Sequence, residues 1–209
     1  MADLFDLRSI ASRIRVPAII DIGANDGAFA GYLSRTFACH RVIAIEPLPG
    51  RREQLLTRGY ETHSVALSDH AGEAAFYVSA ADAASSLLPL TDLCKAEYPQ
   101  VATVNEICVP VRRLDDLIAP VAEALIKIDA QGAELEILRG GARVMSAARL
   151  VLVEMTFRPL YAGQALFNDV HRELDRLGFD LAGFRTQTVS VTSGEPLFGH
   201  AVYEARGRA

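Results

Sequence analysis

DIGANDG, Asp21 to Gly27, stands between an apolar run, Ala18 to Ile20, and a helical pattern, Ala28 to Phe37. A buried strand that turns into a helix through Gly23 and Gly27 brings backbone close to a ligand with no Cβ in the way, at the helix's partially positive end. A second apolar run, RVIAIE (Arg41 to Glu46), ends in a carboxylate about 20 residues further on, the spacing at which a second strand offers an acid to a ribose diol. Turn and acid together predict a nucleoside-containing cofactor.

Outward from this turn, strands alternate with helices. Pro49 to Arg58 reads as a helix stopped before Gly59, and Thr62 to Leu67 as a third strand. SDHAG (Ser68 to Gly72) is a turn, and Glu73 to Ser79 a strand that would close a hairpin. Periodicity fades over 80–109, an irregular, lid-like stretch. Val109 to Arg113 reads as a strand, Leu114 to Ile118 as a short helix, and Ala124 to Ile128 as a strand entering DAQGAELEILRGG, whose helix follows Gly132 and stops near Gly140. Leu150 to Val153 is a buried strand, Phe167 to Leu177 a helix ended by Gly178, and Phe179 to Phe184 and Leu197 to Glu204 are closing strands. The pattern predicts an α/β fold, a doubly wound, mostly parallel sheet with helices on both faces. Residues 18–209 would form one domain behind an N-terminal helical segment, 1–17, with apolar residues at Leu4, Leu7, Ile10, Ala11 and Ile14.

Composition narrows the partners. Half of the 209 residues are apolar, the formal net charge is −5, and no basic block occurs, so a small-molecule substrate is favoured and no nucleic acid partner is expected. Cys39, Cys94 and Cys108 are odd in number and lack metal-binding spacing. No apolar block resembles a signal peptide or reaches the roughly 20 residues of a membrane span. A cytoplasmic protein with no membrane partner is the expectation.

Asp21, Glu46, Asp129 and Glu154 lie at or just past the ends of predicted strands, where ligands of such sheets bind. A dinucleotide fingerprint, G-x-G-x-x-G, would need glycine at Asn25, and Asp26 puts negative charge where a pyrophosphate would sit. A nicotinamide-dependent oxidoreductase is therefore the second reading. S-adenosylmethionine, with its sulfonium and ammonium, tolerates nearby acids and is the first.

These motifs resemble the FkbM-type S-adenosylmethionine-dependent methyltransferases. The resemblance rests on DIGANDG, Ile45 to Pro47 (IEP), Val65 to Asp69 (VALSD) with Gly72, Ser85-Ser86-Leu87, Arg113-Leu114-Asp115 and Lys127 to Gly140 (KIDAQGAELEILRG), and spans roughly Ile19 to Glu154. It implies the seven-stranded class I methyltransferase fold with the last strand antiparallel, and O-methylation of a hydroxyl on a small metabolite, sugar or glycan. By the same resemblance, Asp21, Gly23, Asn25 and Gly27 would surround the methionine part of the cofactor. Glu46 would accept from both ribose hydroxyls, Pro47, Ala66 and Leu67 would enclose the adenine, and Ser68 and Asp69 would meet its edge. Asp129 would stand near the methyl donor. The family's usual Asp-x-Glu-Gly reads Asp129-Ala130-Gln131-Gly132 here, and Gln131 cannot serve as a carboxylate base. That substitution keeps open a third reading, a cofactor-binding protein without catalysis.

Methyl transfer to a hydroxyl needs the acceptor to shed a proton, and Asp129, Glu154 and His200 are the candidate catalytic groups. Lys127 shares a strand face with Asp129 and reads as its ion-pair partner, and Glu134 as a cap for the helix after Gly132. The sequence shows no compact carboxylate cluster, so no metal is expected.

Overall fold

The structure, a computed structural model, describes residues 6–207. Leu4 lies outside them. The strands are β1 (Ile19–Ile22), β2 (Val42–Ile45), β3 (Glu61–His63), β4 (Ala66–Leu67), β5 (Gly72–Ser79), β6 (Thr103–Arg112), β7 (Leu125–Ile128), β8 (Leu150–Thr156), β9 (Phe179–Val189) and β10 (Pro196–Ala205). The helices are α1 (Leu7–Ala11), α2 (Ala28–Phe37), α3 (Arg52–Thr57), α4 (Asp92–Glu97), α5 (Leu114–Leu117), α6 (Glu134–Gly140), α7 (Ala142–Met145) and α8 (Phe167–Arg176).

Aliphatic runs without a polar break make strands that can be buried on both faces, and β1, β2, β7 and β8 are buried at every position. They lie at the centre of a seven-stranded sheet of order β3-β2-β1-β7-β8-β10-β9. Its pairings are parallel except those of β10, which runs against both β8 and β9. Alternate residues feed opposite cores. Ile20, Ile43, Ile126 and Val151 pack with Leu135 and Leu138 of α6 and Val170 and Leu174 of α8. Ile19, Val42, Leu125 and Leu150 pack on the other face with Leu7 and Ile10 of α1 and Leu33 and Phe37 of α2. The strand order reverses direction between β1 and β7, which places the crevice of an open α/β sheet beyond their carboxyl ends.

The structure corrects three details of the sequence reading. Thr62 to Leu67 is not one strand: β3 joins β2 on the main sheet, while β4 leaves it for a second, three-stranded sheet of order β4-β6-β5. The strand starting near Glu73 forms no hairpin with its predecessor; β5 pairs antiparallel with β6, some thirty residues on. The irregular stretch accordingly ends at Thr103. Its first residues, Thr103 to Glu106, are exposed and polar apart from Val104, so no apolar alternation announces the strand. Among the described residues, no helix is long and apolar enough to cross a membrane.

Candidate active site

The glycine turn closes onto the neighbouring strands. Gly23 has φ 70°, Asn25 φ 45° and Gly27 φ 75°. A Cβ on Gly23 would overlap the carbonyl oxygen of Asp129, so β1 and β7 approach here as only glycine permits. The turn's N–H groups are taken up internally: Gly23 and Ala24 donate to Ile45 O (3.0 and 3.2 Å), Gly27 to Ala24 O (2.8 Å), and Ala28 to Asp26 Oδ1 (2.8 Å). A pyrophosphate would want those donors. What the turn offers instead is an acceptor, since Asn25 Oδ1 is buried with no hydrogen-bond partner.

Glu46, just past β2, is buried and holds this turn in place. Its Oε2 accepts from Asn25 N (2.8 Å) and its Oε1 from Leu48 N (2.9 Å). A carboxylate oxygen has a second lone pair, so both remain able to accept from a diol. Burial pushes the Glu46 carboxyl above its ordinary range, and the two backbone donors oppose that rise.

Beside the turn lies a cavity of about 350 Å³. It is lined by the apolar Pro47, Val65, Ala66, Leu67, Phe76 and Ile137 and by the polar Glu46, Asn25, Asp129, Gln131 and His200. The stretch after β5 contributes Asp82, Ala83, Ser85 and Leu87. The volume falls within the usual range for small-ligand sites. The lining fits S-adenosylmethionine: apolar side chains for a base, a carboxylate for a diol, and an orphaned oxygen for an ammonium.

Asp21 and Lys127 are register partners on β1 and β7, and their side chains meet beneath the turn. Lys127 Nζ lies 3.0 Å from Asp21 Oδ1, donates to Gly23 O (2.6 Å) and Ile22 O (3.2 Å), and is 4.0 Å from Asp129 Oδ2. The principal partner of Lys127 is thus Asp21. Burial works against its charge, but Asp21 and Asp129 more than offset this and hold the ammonium protonated. Asp21 is fully buried and does not line the cavity. Gly27 stands outside the lining too, facing Leu55, Arg58 and Tyr60.

Asp129, Glu154 and His200 come together at the rim, their ligand-type atoms all within 4.8 Å of one another. The folded chain therefore builds the compact cluster that the sequence does not display. His200 and Glu154 are cross-strand partners on β10 and β8, and His200 and Thr186 are partners on β10 and β9. His200 Nδ1 is 2.8 Å from Thr186 Oγ1, and Nε2 is 3.4 Å from Asp129 Oδ2.

Gln131, missed as a site residue, ties the acids together. It sits at φ 56°, donates from Nε2 to Asp129 Oδ1 (2.6 Å) and Glu154 Oε2 (3.0 Å), and accepts at Oε1 from the Tyr161 hydroxyl (2.6 Å). Burial raises the Asp129 carboxyl, but Lys127, His200 and Gln131 outweigh it and hold it well below the usual range. Glu154 is driven the other way, by burial and then by the charge on Asp129.

Glu134 does not cap the helix it opens, which has no side-chain cap; its carboxylate turns back to the preceding turn and accepts from Ala130 N (2.9 Å) and Gly132 N (3.0 Å). Ser85 Oγ accepts from Ser79 N, and Ser86 Oγ donates to Gln131 O (2.7 Å). Ser68 and Asp69 do not line the cavity; Ser68 lines a neighbouring one, and Asp69 is bonded to Ser68 and His70.

Comparison with known proteins agrees with this geometry. The family description "Methyltransferase FkbM domain" matches residues 21–181. The 2-O-methyltransferase NoeI of Sinorhizobium fredii is 31% identical over 163 residues, covering 71% of this chain and 67% of NoeI. Methyltransferase 1 of Beauveria bassiana is 26% identical over 145 residues, 58% of this chain and 57% of that longer protein. In fold, the magnesium protoporphyrin IX methyltransferase ChlM of Synechocystis, solved with bound S-adenosylmethionine, superposes with a TM-score of 0.50 over 95% of this chain and 74% of its own, at 11% identity. The sheet order, the glycine turn with its paired acid and the match across residues 21–181 converge: the chain belongs to the FkbM family of S-adenosylmethionine-dependent methyltransferases.

Proposed function

We propose that this protein methylates a hydroxyl of a small metabolite, sugar or glycan, and that His200 takes the hydroxyl's proton. The observation that carries the reading is that one cavity is lined by the apolar side chains, Glu46, Asp129 and His200 together. The name of NoeI, a 2-O-methyltransferase, agrees with an oxygen acceptor. Bound S-adenosylmethionine would supply an electrophilic methyl group on a sulfonium.

The residues of the chain divide the remaining work. Ala66, Leu67 and Phe76 enclose the base, Glu46 takes the diol, and Asn25 Oδ1 with Asp129 receives the ammonium. Thr186 Oγ1 accepts the His200 backbone N–H (3.4 Å) and lies 2.8 Å from Nδ1; with the proton on Nδ1, the Nε2 lone pair can take a hydroxyl proton once the hydroxyl replaces the 3.4 Å contact with Asp129 Oδ2. A hydroxyl placed against Nε2 gives its proton to the ring. The imidazolium so formed faces Asp129 Oδ2, which stabilises it.

A panel of sugars and hydroxylated metabolites incubated with methyl-labelled cofactor tests the reading. His200→Gln should lower turnover by about 10²–10⁴-fold while leaving affinity for S-adenosylhomocysteine unchanged. Wild-type turnover in a folded His200→Gln protein would remove the base assignment, and label arriving on nitrogen or carbon acceptors alone would overturn O-methylation.

A further inference from the structure

The side chains that flank Gln131 point beyond the cofactor pocket. Tyr161 is buried, its ring packed near Cys94, Val101 and Leu160. Its backbone is fixed by Gln164, whose Oε1 accepts from Leu160 N (2.6 Å) and Tyr161 N (2.7 Å). A phenol has one hydrogen to donate. Its oxygen lies 2.6 Å from Gln131 Oε1 and 3.1 Å from Ala84 O, and the shorter contact favours the amide. The opposite orientation would turn Gln131 Oε1 toward Asp129 Oδ1 and Glu154 Oε2, oxygen against oxygen.

We infer that Tyr161 and Gln131 are positioning residues for methyl transfer: the Tyr161 hydroxyl holds the Gln131 amide with its N–H groups on Asp129 and Glu154, which keeps Asp129 Oδ2 turned toward His200. This rests on the methyl-transfer reading and assigns the chain's departure from Asp-x-Glu-Gly a purpose. With a glutamate at position 131, three carboxylates would crowd one buried site. The amide instead adds no charge and places its N–H donors on the two acids. Burial and the nearby Asp129 charge push the Glu154 carboxyl upward.

The charged and titratable groups around Asp129 are Lys127 on its own strand, Asp21 on β1, Glu154 on β8, His200 on β10 and Glu134 on α6. None of them is altered in Tyr161→Phe, which removes one oxygen from a packed ring, or in Gln131→Met, which removes the donors. Carbon-13 NMR of the aspartate carboxyls in the full chain, with Asp129→Asn for assignment, reads the result without any acceptor. Loss of the N–H donors should raise the Asp129 titration by about half a unit or more in Gln131→Met, and by a smaller amount in Tyr161→Phe. A residue that merely fills space would lower the melting temperature and leave this titration in place. Unmoved Asp129 titration in folded Tyr161→Phe overturns the inference, whether or not Gln131→Met folds. Failure of the wild type to bind S-adenosylhomocysteine would instead strike the underlying methyl-transfer reading, and the carboxyl titration would be unaffected by it.

Discussion

Lys127 Nζ and Asp21 Oδ1 stand 3.0 Å apart, the one on β7 and the other on β1, both with almost no exposed surface. Neither side chain touches solvent enough to be stabilised by it, so each depends on the other. A buried pair is weak support for stability as a pair, yet breaking it strands the survivor. Lys127→Met should therefore lower the unfolding free energy by about 3–5 kcal/mol in urea, and Asp21→Asn in the same chain should restore part of it. Equal losses in single and double variants would show that the two groups are not coupled.

Glu46 has two duties. Its oxygens order the glycine turn through Asn25 N and Leu48 N, besides facing the cavity. Glu46→Ala should weaken S-adenosylhomocysteine binding by on the order of 2–4 kcal/mol in calorimetry. The melting temperature should fall as well, since two buried N–H groups lose their acceptor. Affinity within twofold of wild type in a folded variant would exclude the ribose role.

Glu134 makes stability depend on pH. Burial lifts its carboxyl from 4.5 to about 7, with the N–H groups of Ala130 and Gly132 opposing. A carboxyl raised on folding binds protons more tightly in the native state, so its contribution is full below the unfolded value and is lost as pH climbs through the folded one. Glu134→Gln removes that titration. Between about pH 5 and pH 8, the wild type should lose roughly 1–3 kcal/mol relative to the variant. A constant difference across that range would mean that Glu134 titrates as an exposed glutamate does.

The lining around the glycine turn was legible in the sequence because it is local. Gly23, Asn25, Glu46, Pro47, Ala66 and Leu67 fall within turns and strand ends that short motifs announce, and all of them line the cavity. Strand register was not legible, and register decides the rest. Lys127 meets Asp21 because Ile126 lies level with Ile20. His200 meets Glu154 only because β10 enters beside β8 in reverse. Gln131 reads as a loss of acidity in sequence; its role emerges when residues on β7, β8 and the loop before α8 are brought together. Tyr161 carries no sequence signal at all, standing in a segment without periodicity. Thr103 to Glu106 of β6 escaped notice for the opposite reason, since a polar, exposed edge lacks the alternation that marks a half-buried strand.

The insertion of β10 between β8 and β9 divides the site by folding order. The part of the cavity around the glycine turn and Glu46 is built on β1, β2 and β7, which neighbour one another in the sheet and are held by parallel ladders. The wall that carries His200 and Thr186 belongs to a hairpin, β9 with β10, which reaches the rest through the β8–β10 ladder. That hairpin docks through the β8–β10 ladder and through Phe184 and Tyr203, which pack against Phe167 and His171 of α8. Native-state hydrogen exchange should find it opening as a unit at lower free energy than β1 and β7. During such an opening the Glu46 end of the cavity would persist while His200 was displaced, so on the roles proposed above the capacity to bind the methyl donor would outlast the capacity to use it as the protein is warmed.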